Sequence, residues 1–310
     1  MSPLDQLIRG LKQTKESPNV LFRELNKNYH GLRSGKQYNK YGMDIMDAEW
    51  DTLIILDACR YDLFEEQNTI AGDLDQRTSR GSHTSQFLYG NFNGRELLDT
   101  VYTTASPQLR SRRDEIDVTF CDVNNAWDSS YWDEDDGTVP PDRMTEACIE
   151  SFSEYPKKRH IFHYIQPHYP FLVSEIGDST RGIGEDHAEG YNLWNSIFRG
   201  KLDADIESIH ESYEKNFELV LDSIEELLEM DLGRVVVTSD HGNMLGERAR
   251  PVPIREWGHP SRIYTDELVA IPWLEVEGCG SREIEEVETS ESEASDGDQV
   301  EDRLESLGYL

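Results

Sequence analysis

Lysine is scarce in this chain, with nine against 21 arginines in 310 residues, and acids outnumber all bases 62 to 30 for a formal charge of −32. Such an excess of negative charge repels phosphate backbones and excludes a nucleic-acid-binding role. No apolar run approaches the ~18 residues that a membrane-spanning helix needs. A charged-then-apolar leader is also missing, so the expectation is a soluble, cytoplasmic protein. The four cysteines (Cys59, Cys121, Cys148, Cys279) stand far apart without a C-x-x-C pair. That spacing excludes a zinc knuckle or a disulfide framework and points to buried thiols in a reducing compartment. There is no internal repeat.

Self-repulsion on this scale destabilises a compact chain at low salt, and at ~1 M salt the Debye length of ~3 Å removes most of the penalty. The composition therefore suits a halophilic protein in a saline cytoplasm; the alternative is an ordinary acidic protein with one acidic tail. The charge is uneven. Residues 1–41 carry +5 against −37 for the rest. Leu4, Leu7, Ile8 and Leu11, then Val20, Leu21 and Leu25, have helical spacing. This segment either rests on an anionic membrane surface as a peripheral contact or packs on the protein's own acidic body, and the second is preferred.

Residues 1–45 read as a basic N-terminal helical extension and 46–279 as the main domain. Residues 280–299 read as an acidic disordered linker and 300–310 as a short C-terminal helix. Strands are expected at 52–56, 100–104, 117–121, 160–165, 234–238 and 269–275. With helical patterns between them, above all 203–229, the fold class is α/β with a largely parallel central sheet. Residues 122–142 and 172–200 read as long loops of the kind that form lids or substrate walls.

Two apolar runs end in groups that bind metals: Leu53-Ile54-Ile55-Leu56 runs into Asp57, and Val235-Val236-Val237 into Thr238-Ser239-Asp240-His241-Gly242. Ligands of an open α/β sheet gather outside the carboxyl ends of its strands. Pro167-His168-Tyr169-Pro170 follows another strand, and flanking prolines would hold the His168 imidazole in place. His163, inside that strand, is a core histidine or a substrate-side group backing the site. Trp257-Gly258-His259-Pro260 is a similar rigid turn. Gly81-Ser82-His83-Thr84-Ser85 offers three hydroxyls at the opening of a helix; such hydroxyls serve as ordinary N-caps or, in the positive end of the helix dipole, as groups facing an anion. Arg60 is placed either to bind an oxyanion or to pair with Asp62.

Taken in order along the chain, these motifs resemble the alkaline phosphatase/sulfatase superfamily, most closely its sulfatase-like hydrolase/transferase branch, over roughly 50–275. The resemblance implies an α/β/α sandwich with Asp57, Asp240 and His241 as metal ligands and Thr84 as the metal-bound nucleophile, Ser82 and Ser85 being alternatives in register. It places His168 and His259 against the substrate's sulfuryl or phosphoryl oxygens, or on a second ion. Two departures matter. Formylglycine sulfatases need Cys or Ser followed by x-Pro-x-Arg, which is missing here, and the paired acids usual after the first strand are reduced to Asp57 alone.

The expected activity is therefore a metal-dependent hydrolase or transferase acting on phosphate, less readily sulfate, esters through a Thr/Ser nucleophile and a covalent intermediate. His168 and His259 would stabilise the nonbridging oxygens, or His259 would help protonate the leaving group. Mixed Asp/His ligation favours zinc or manganese over calcium, with one or two ions. The substrate would be a small-molecule, glycan or lipid-headgroup ester, with no obligate protein partner. The alternative is a catalytically silent relative that binds an anionic glycan or lipid headgroup.

Overall fold

Apolar residues fill consecutive positions of β1 (Thr52–Leu56) and β6 (Val235–Ser239), and all five residues of each are buried. That is the pattern of strands covered on both faces. The computed structural model describes residues 18–173, 193–203, 205–278, 280–285 and 297–309. Its seven-stranded sheet has the order β2-β9-β6-β1-β5-β3-β4. The other strands are β2 (Gly72–Thr78), β3 (Arg95–Thr104), β4 (Val118–Asn125), β5 (Arg159–Tyr164) and β9 (Ala270–Val276). Every pairing is parallel except the two made by β9. A small hairpin, β7 (Met244–Arg248) with β8 (Arg255–Gly258), stands apart from the sheet.

The principal helices are α1 (Pro18–Ser34), α2 (Tyr61–Gln67), α3 (Thr84–Phe92), α4 (Pro141–Glu154), α5 (Leu193–Phe198), α6 (Ile206–Leu227) and α7 (Gly297–Ser306). Side chains of β1 alternate between two cores: Leu53 and Ile55 join Phe87, Leu88 and Phe92 of α3, while Ile54 and Leu56 join Met144 of α4 and Phe217 and Val220 of α6. The α/β/α sandwich follows from this alternation.

The expected strands are all present, with ends shifted by a few residues. Two elements were not anticipated. Strand β2 is exposed apart from Leu74, so its sequence carries no burial period; it is fixed instead by antiparallel pairing along all of β9. The β7–β8 hairpin lies where a turn and a basic run were read. Within the expected 122–142 loop, β4 continues to Asn125. Of the 172–200 loop, 174–192 fall outside the described residues, and 193–198 are helical. Residues 280–285 of the expected linker lie against the body: Arg282 donates to Leu232, Pro156 and Lys158 carbonyls at 3.0, 2.7 and 2.9 Å. Residues 286–296 lie outside the described residues.

Helix α1 sits on the body by its polar side. Arg23 pairs with the buried Glu256, Asn26 makes two bonds to the Val252 backbone, and His30 bonds to the Arg250 carbonyl at 2.7 Å. The apolar side, with Leu21, Phe22, Leu25, Tyr29 and Leu32, is turned outward. No described helix is long and apolar enough to cross a membrane.

Asn216 of α6 clamps the loop after β5. Its amide donates to the His168 and Pro170 carbonyls at 3.1 and 2.9 Å, and its oxygen accepts from Leu172 N at 2.9 Å. Asn216→Ala should cost about 1–3 kcal/mol by leaving buried polar groups unpaired. Urea denaturation of the variant checks this; a change within ~0.5 kcal/mol, the scale of an ordinary surface substitution, would show that the clamp holds nothing.

Candidate active site

The register of three adjacent strands brings the site together. Leu56 is level with Ser239 on one side and Tyr164 on the other, so Asp57 and Asp240 leave the sheet side by side while His163 stands one residue below the edge of β5. All three are fully buried. The turn after β1 passes through Ala58 at φ 59°, a left-handed conformation that costs a non-glycine residue roughly 1–2 kcal/mol. It is held by specific bonds. Ala58 N donates to Asp240 Oδ1 at 3.0 Å, Cys59 N to Ser239 Oγ at 3.0 Å, and Tyr213 donates its hydroxyl to the Ala58 carbonyl at 2.5 Å. The strain thus locks Asp57 against Asp240. On the other strand, a Cβ at Gly242 would lie 2.2 Å from the Glu267 carbonyl oxygen, so the residue after His241 must be glycine.

Three ligand-type atoms face one another without hydrogen-bond partners: Asp57 Oδ1, Asp240 Oδ2 and His163 Nε2. One ligand atom from each of these residues falls within a 4.8 Å span. His241 joins them, with Nε2 3.3 Å from Asp240 Oδ2 and 3.6 Å from Asp57 Oδ1. Among the described residues no lysine or arginine pairs with either carboxylate. Burial and the facing Asp240 push the Asp57 carboxyl well above the usual range, and burial raises Asp240 as well. Two desolvated carboxylates facing each other, with two imidazoles turned toward them, are a donor set that could hold a cation, and without one the pair favours taking up a proton. Two oxygen and two nitrogen donors suit zinc or manganese.

Hydrogen bonds fix the imidazole tautomers, because a carbonyl only accepts and a backbone N–H only donates. His241 Nδ1 donates to the Gly242 carbonyl at 2.8 Å, which leaves Nε2 as a lone pair toward the carboxylates. Tyr102 Oη lies 2.7 Å from His163 Nδ1 and turns the ring so that Nε2 faces the carboxylates; a hydroxyl both donates and accepts, so this bond sets the ring's orientation and not its tautomer. His168 Nδ1 donates to the Tyr169 carbonyl, so His259 Nε2 donates to His168 Nε2 across 2.7 Å. His83 Nδ1 accepts from Ser85 N at 3.2 Å, which leaves Nε2 carrying the proton. Burial lowers every one of these imidazoles: His163 and His241 to about 4, His168 to about 3, His83 and His259 well below the ordinary value. All are neutral at physiological pH.

Of the three candidate hydroxyls, Thr84 alone reaches the cluster. Its Oγ1 lies 3.2 Å from Asp57 Oδ2 and 3.2 Å from His241 Nε2. Ser82 Oγ is engaged by Gln86 Oε1 and the Pro260 carbonyl, each at 3.1 Å. Ser85 Oγ lies 3.0 Å from His83 Nδ1. His83, not a serine or threonine, caps α3. His168 and His259 line the cluster beside Thr84, with the His259 ring stacked 4.7 Å from that of His241. Among the described residues no carboxylate joins them, unlike the first cluster. The Arg60 guanidinium binds Asp62 at 2.8 and 2.5 Å, together with Glu247 and the Asn243 carbonyl.

Three residues escaped the reading of the sequence in these roles. His163 sits in mid-strand, where a core role is the ordinary one; its signal was the polar residue one step short of the strand end. His83 was passed over beside the hydroxyls. Tyr309, separated from the body by the acidic run, donates its hydroxyl to Asp57 Oδ2 and lies 3.4 Å from Thr84 Oγ1. A cavity of about 520 Å3 opens beside Ser85 and Gln86, with Lys36, Arg112 and Arg262 on its wall.

The sequence matches no protein-family model and no curated protein. Among solved structures, the soluble domain of lipooligosaccharide phosphoethanolamine transferase A from Neisseria meningitidis overlays with 13 % identity, 73 % of this chain, 76 % of that one and a TM-score of 0.47. This chain spans 47 % of the integral membrane protein of the same name. A protein of the alkaline phosphatase superfamily from Vibrio parahaemolyticus overlays with 10 % identity, 80 % and 65 % coverage and a TM-score of 0.42. Phosphonate monoester hydrolase from Agrobacterium radiobacter does so with 13 % identity, 73 % and 68 % coverage and a TM-score of 0.40. Overlaps this loose carry no weight of their own; what bears on function is the side-chain geometry.

Replacing Asp57 or Asp240 by asparagine removes one of two facing buried acids. Each variant should melt higher than the wild type in chelator and lose the rise in melting temperature that zinc gives the wild type. A zinc-dependent rise equal to that of the wild type would contradict the ligand assignment.

Proposed function

We propose that this chain is a metal-dependent phosphoester hydrolase or transferase of the alkaline phosphatase/sulfatase superfamily, with Thr84 as its nucleophile. The observation that carries this reading is the position of Thr84 Oγ1, in contact with both Asp57 and His241 at the edge of the unpaired ligand cluster. Asp57, Asp240, His163 and His241 would hold the cation, which when bound supplies a lowered hydroxyl pKa and charge neutralisation for a phosphate ester.

The chain's own residues account for the rest. Thr84 stands at the first turn of α3, where the helix dipole favours anions. Its proton lies toward Asp57 Oδ2, which leaves a lone pair free for attack at phosphorus. The Thr84 proton passes to Asp57 Oδ2 as the new Thr84 Oγ–P bond forms and the bond to the leaving oxygen breaks, and the leaving oxygen takes a proton from solvent. His83 Nε2–H, fixed by its tautomer, can donate to a nonbridging oxygen. Neutral buried imidazoles donate hydrogen bonds readily and protons poorly, so His83, His168 and His259 serve as positioning donors and acceptors, not as general acids. Water or an acceptor alcohol then releases the phosphoryl group. Phosphate is preferred to sulfate because the hydroxyl turn lacks the residues that build a formylglycine.

A lipid-headgroup ester is the substrate class this reading favours. Helix α1 turns Leu21, Phe22, Leu25, Tyr29 and Leu32 outward, with Leu32 79 % exposed. Lys27, Arg33, Lys36 and Lys40 stand on and just after the same helix in a chain of net charge −32. Lys27 pairs with Glu24 of the same helix at 3.0 Å, so Arg33, Lys36 and Lys40 are the charges that would draw an anionic bilayer within the ~8 Å Debye length of physiological salt. Lys36 also lines the cavity beside Ser85.

Thr84→Ala should lower turnover of p-nitrophenyl phosphate or its bis ester by roughly 10³-fold or more, the scale of losing a nucleophile. A phosphoryl adduct should map to Thr84 in quenched wild-type enzyme, and an adduct on Ser82 or Ser85 instead would refute the assignment. For the surface, the full chain should float with phosphatidylglycerol-rich vesicles and the Leu25→Asp/Leu32→Asp variant should not. Equal flotation of the two removes the membrane contact.

A further inference from the structure

Tyr309 reaches the nucleophile from the far end of the described chain. Its hydroxyl donates to Asp57 Oδ2 and lies 3.4 Å from Thr84 Oγ1. Its ring stacks on His168 with centroids 4.9 Å apart and an interplanar angle of 18°, and stands 5.7 and 5.8 Å from the rings of His83 and His259. A productive phosphorus must come within roughly 3–3.5 Å of the attacking oxygen. The phenol oxygen already fills that space, and it also occupies one oxygen of the ligand Asp57. Substrate and Tyr309 therefore cannot hold the site together.

We propose that residues 297–309 form a displaceable cap whose Tyr309 phenol stands where a substrate's ester oxygen sits during turnover. This rests on the Thr84 reading for its consequence, but the docking and release of the cap do not. Val300, Leu304 and Leu307 are buried, and Arg303 forks onto Glu134 at 2.8 and 2.7 Å while its guanidinium lies 4.2 Å from the Trp132 ring. Gly308 at φ 75° turns the chain after α7 so that Tyr309 points back into the site, with Tyr309 N bonded to the Leu304 carbonyl at 2.9 Å. Glu134 is three-quarters exposed, so its ion pair with Arg303 is a weak anchor. The seat is thus three aliphatic side chains, Arg303 on Glu134 and Trp132, and the Tyr309 phenol, and a phosphate bound at Thr84 competes directly with the last of these. A cap closed about nine-tenths of the time lowers the apparent kcat/KM about tenfold, and its removal restores that factor.

The test uses full-length protein loaded with zinc, the Tyr309→Phe variant, the Arg303→Glu variant that loosens the seat, and a chain ending at Asp296. Hydrogen–deuterium exchange of peptides covering 297–309 is measured with and without saturating inorganic phosphate, alongside p-nitrophenyl phosphate kinetics. Phosphate should deprotect 297–309 in the wild type, zinc should bind Tyr309→Phe more tightly, and Arg303→Glu and the shortened chain should gain about tenfold in kcat/KM. Unchanged exchange with phosphate, or a loss of turnover in the folded Arg303→Glu and shortened chains, overturns the cap. If no variant turns over at all, the Thr84 reading fails, and phosphate-dependent exchange alone still decides the cap.

Discussion

Two buried carboxylates, Asp57 and Asp240, face each other with one oxygen apiece unpaired, and the rest of the structure makes sense around that pair. An apolar interior tolerates such an arrangement only if a cation sits between the two or a proton neutralises one of them. The sheet register sets the two acids level, the left-handed Ala58 turn locks one to the other, and the bonds to Gly242 and Tyr102 aim two imidazoles into the gap. Each is a local cost or constraint that yields nothing by itself. Together they form a cluster that could hold a cation, next to a helix N-terminus that presents a hydroxyl.

The sequence was most legible where burial and chemistry meet at a strand end. Asp57 and Asp240-His241 each terminate a run of apolar residues, so both the fold class and the shared edge could be read without coordinates. Thr84 could be narrowed to three hydroxyls but no further. Which of them faces the cluster depends on the rotation of α3, and that is set by packing of Phe87, Leu88 and Phe92 in the second core. His163 was hidden by the period of its own strand, where a polar residue one step short of the end looks like core. Strand β2 was invisible because pairing, not burial, holds it. Tyr309 and the seat of α7 were beyond reach, since no local pattern says where a helix behind an acidic run will dock.

Helix α1 shows a different limit. Its hydrophobic periodicity was plain, yet periodicity names a face and not what covers it. Here Arg23, Asn26 and His30 point inward, to a buried glutamate and to backbone carbonyls, while leucines face out. An amphipathic helix normally does the reverse. Among the described residues nothing covers the apolar side, which is what the proposed membrane contact uses. On the proposed reading, site, cavity and helix would form one working surface, with a phosphate ester over Thr84, the cavity beside α3 for the remainder of the substrate, and Tyr309 at the chemistry end.

The most direct measurement is X-ray absorption spectroscopy of the zinc-loaded protein. The account predicts one tightly held zinc with nitrogen and oxygen neighbours only, near the ~2.0–2.2 Å usual for imidazole and carboxylate, and the outer-shell signature of two histidines. A sulfur neighbour near ~2.3 Å would instead assign the metal to a thiol such as Cys59, which burial otherwise keeps protonated. That result, or zinc bound without any histidine signature, would contradict the claim that Asp57, Asp240, His163 and His241 form the metal centre.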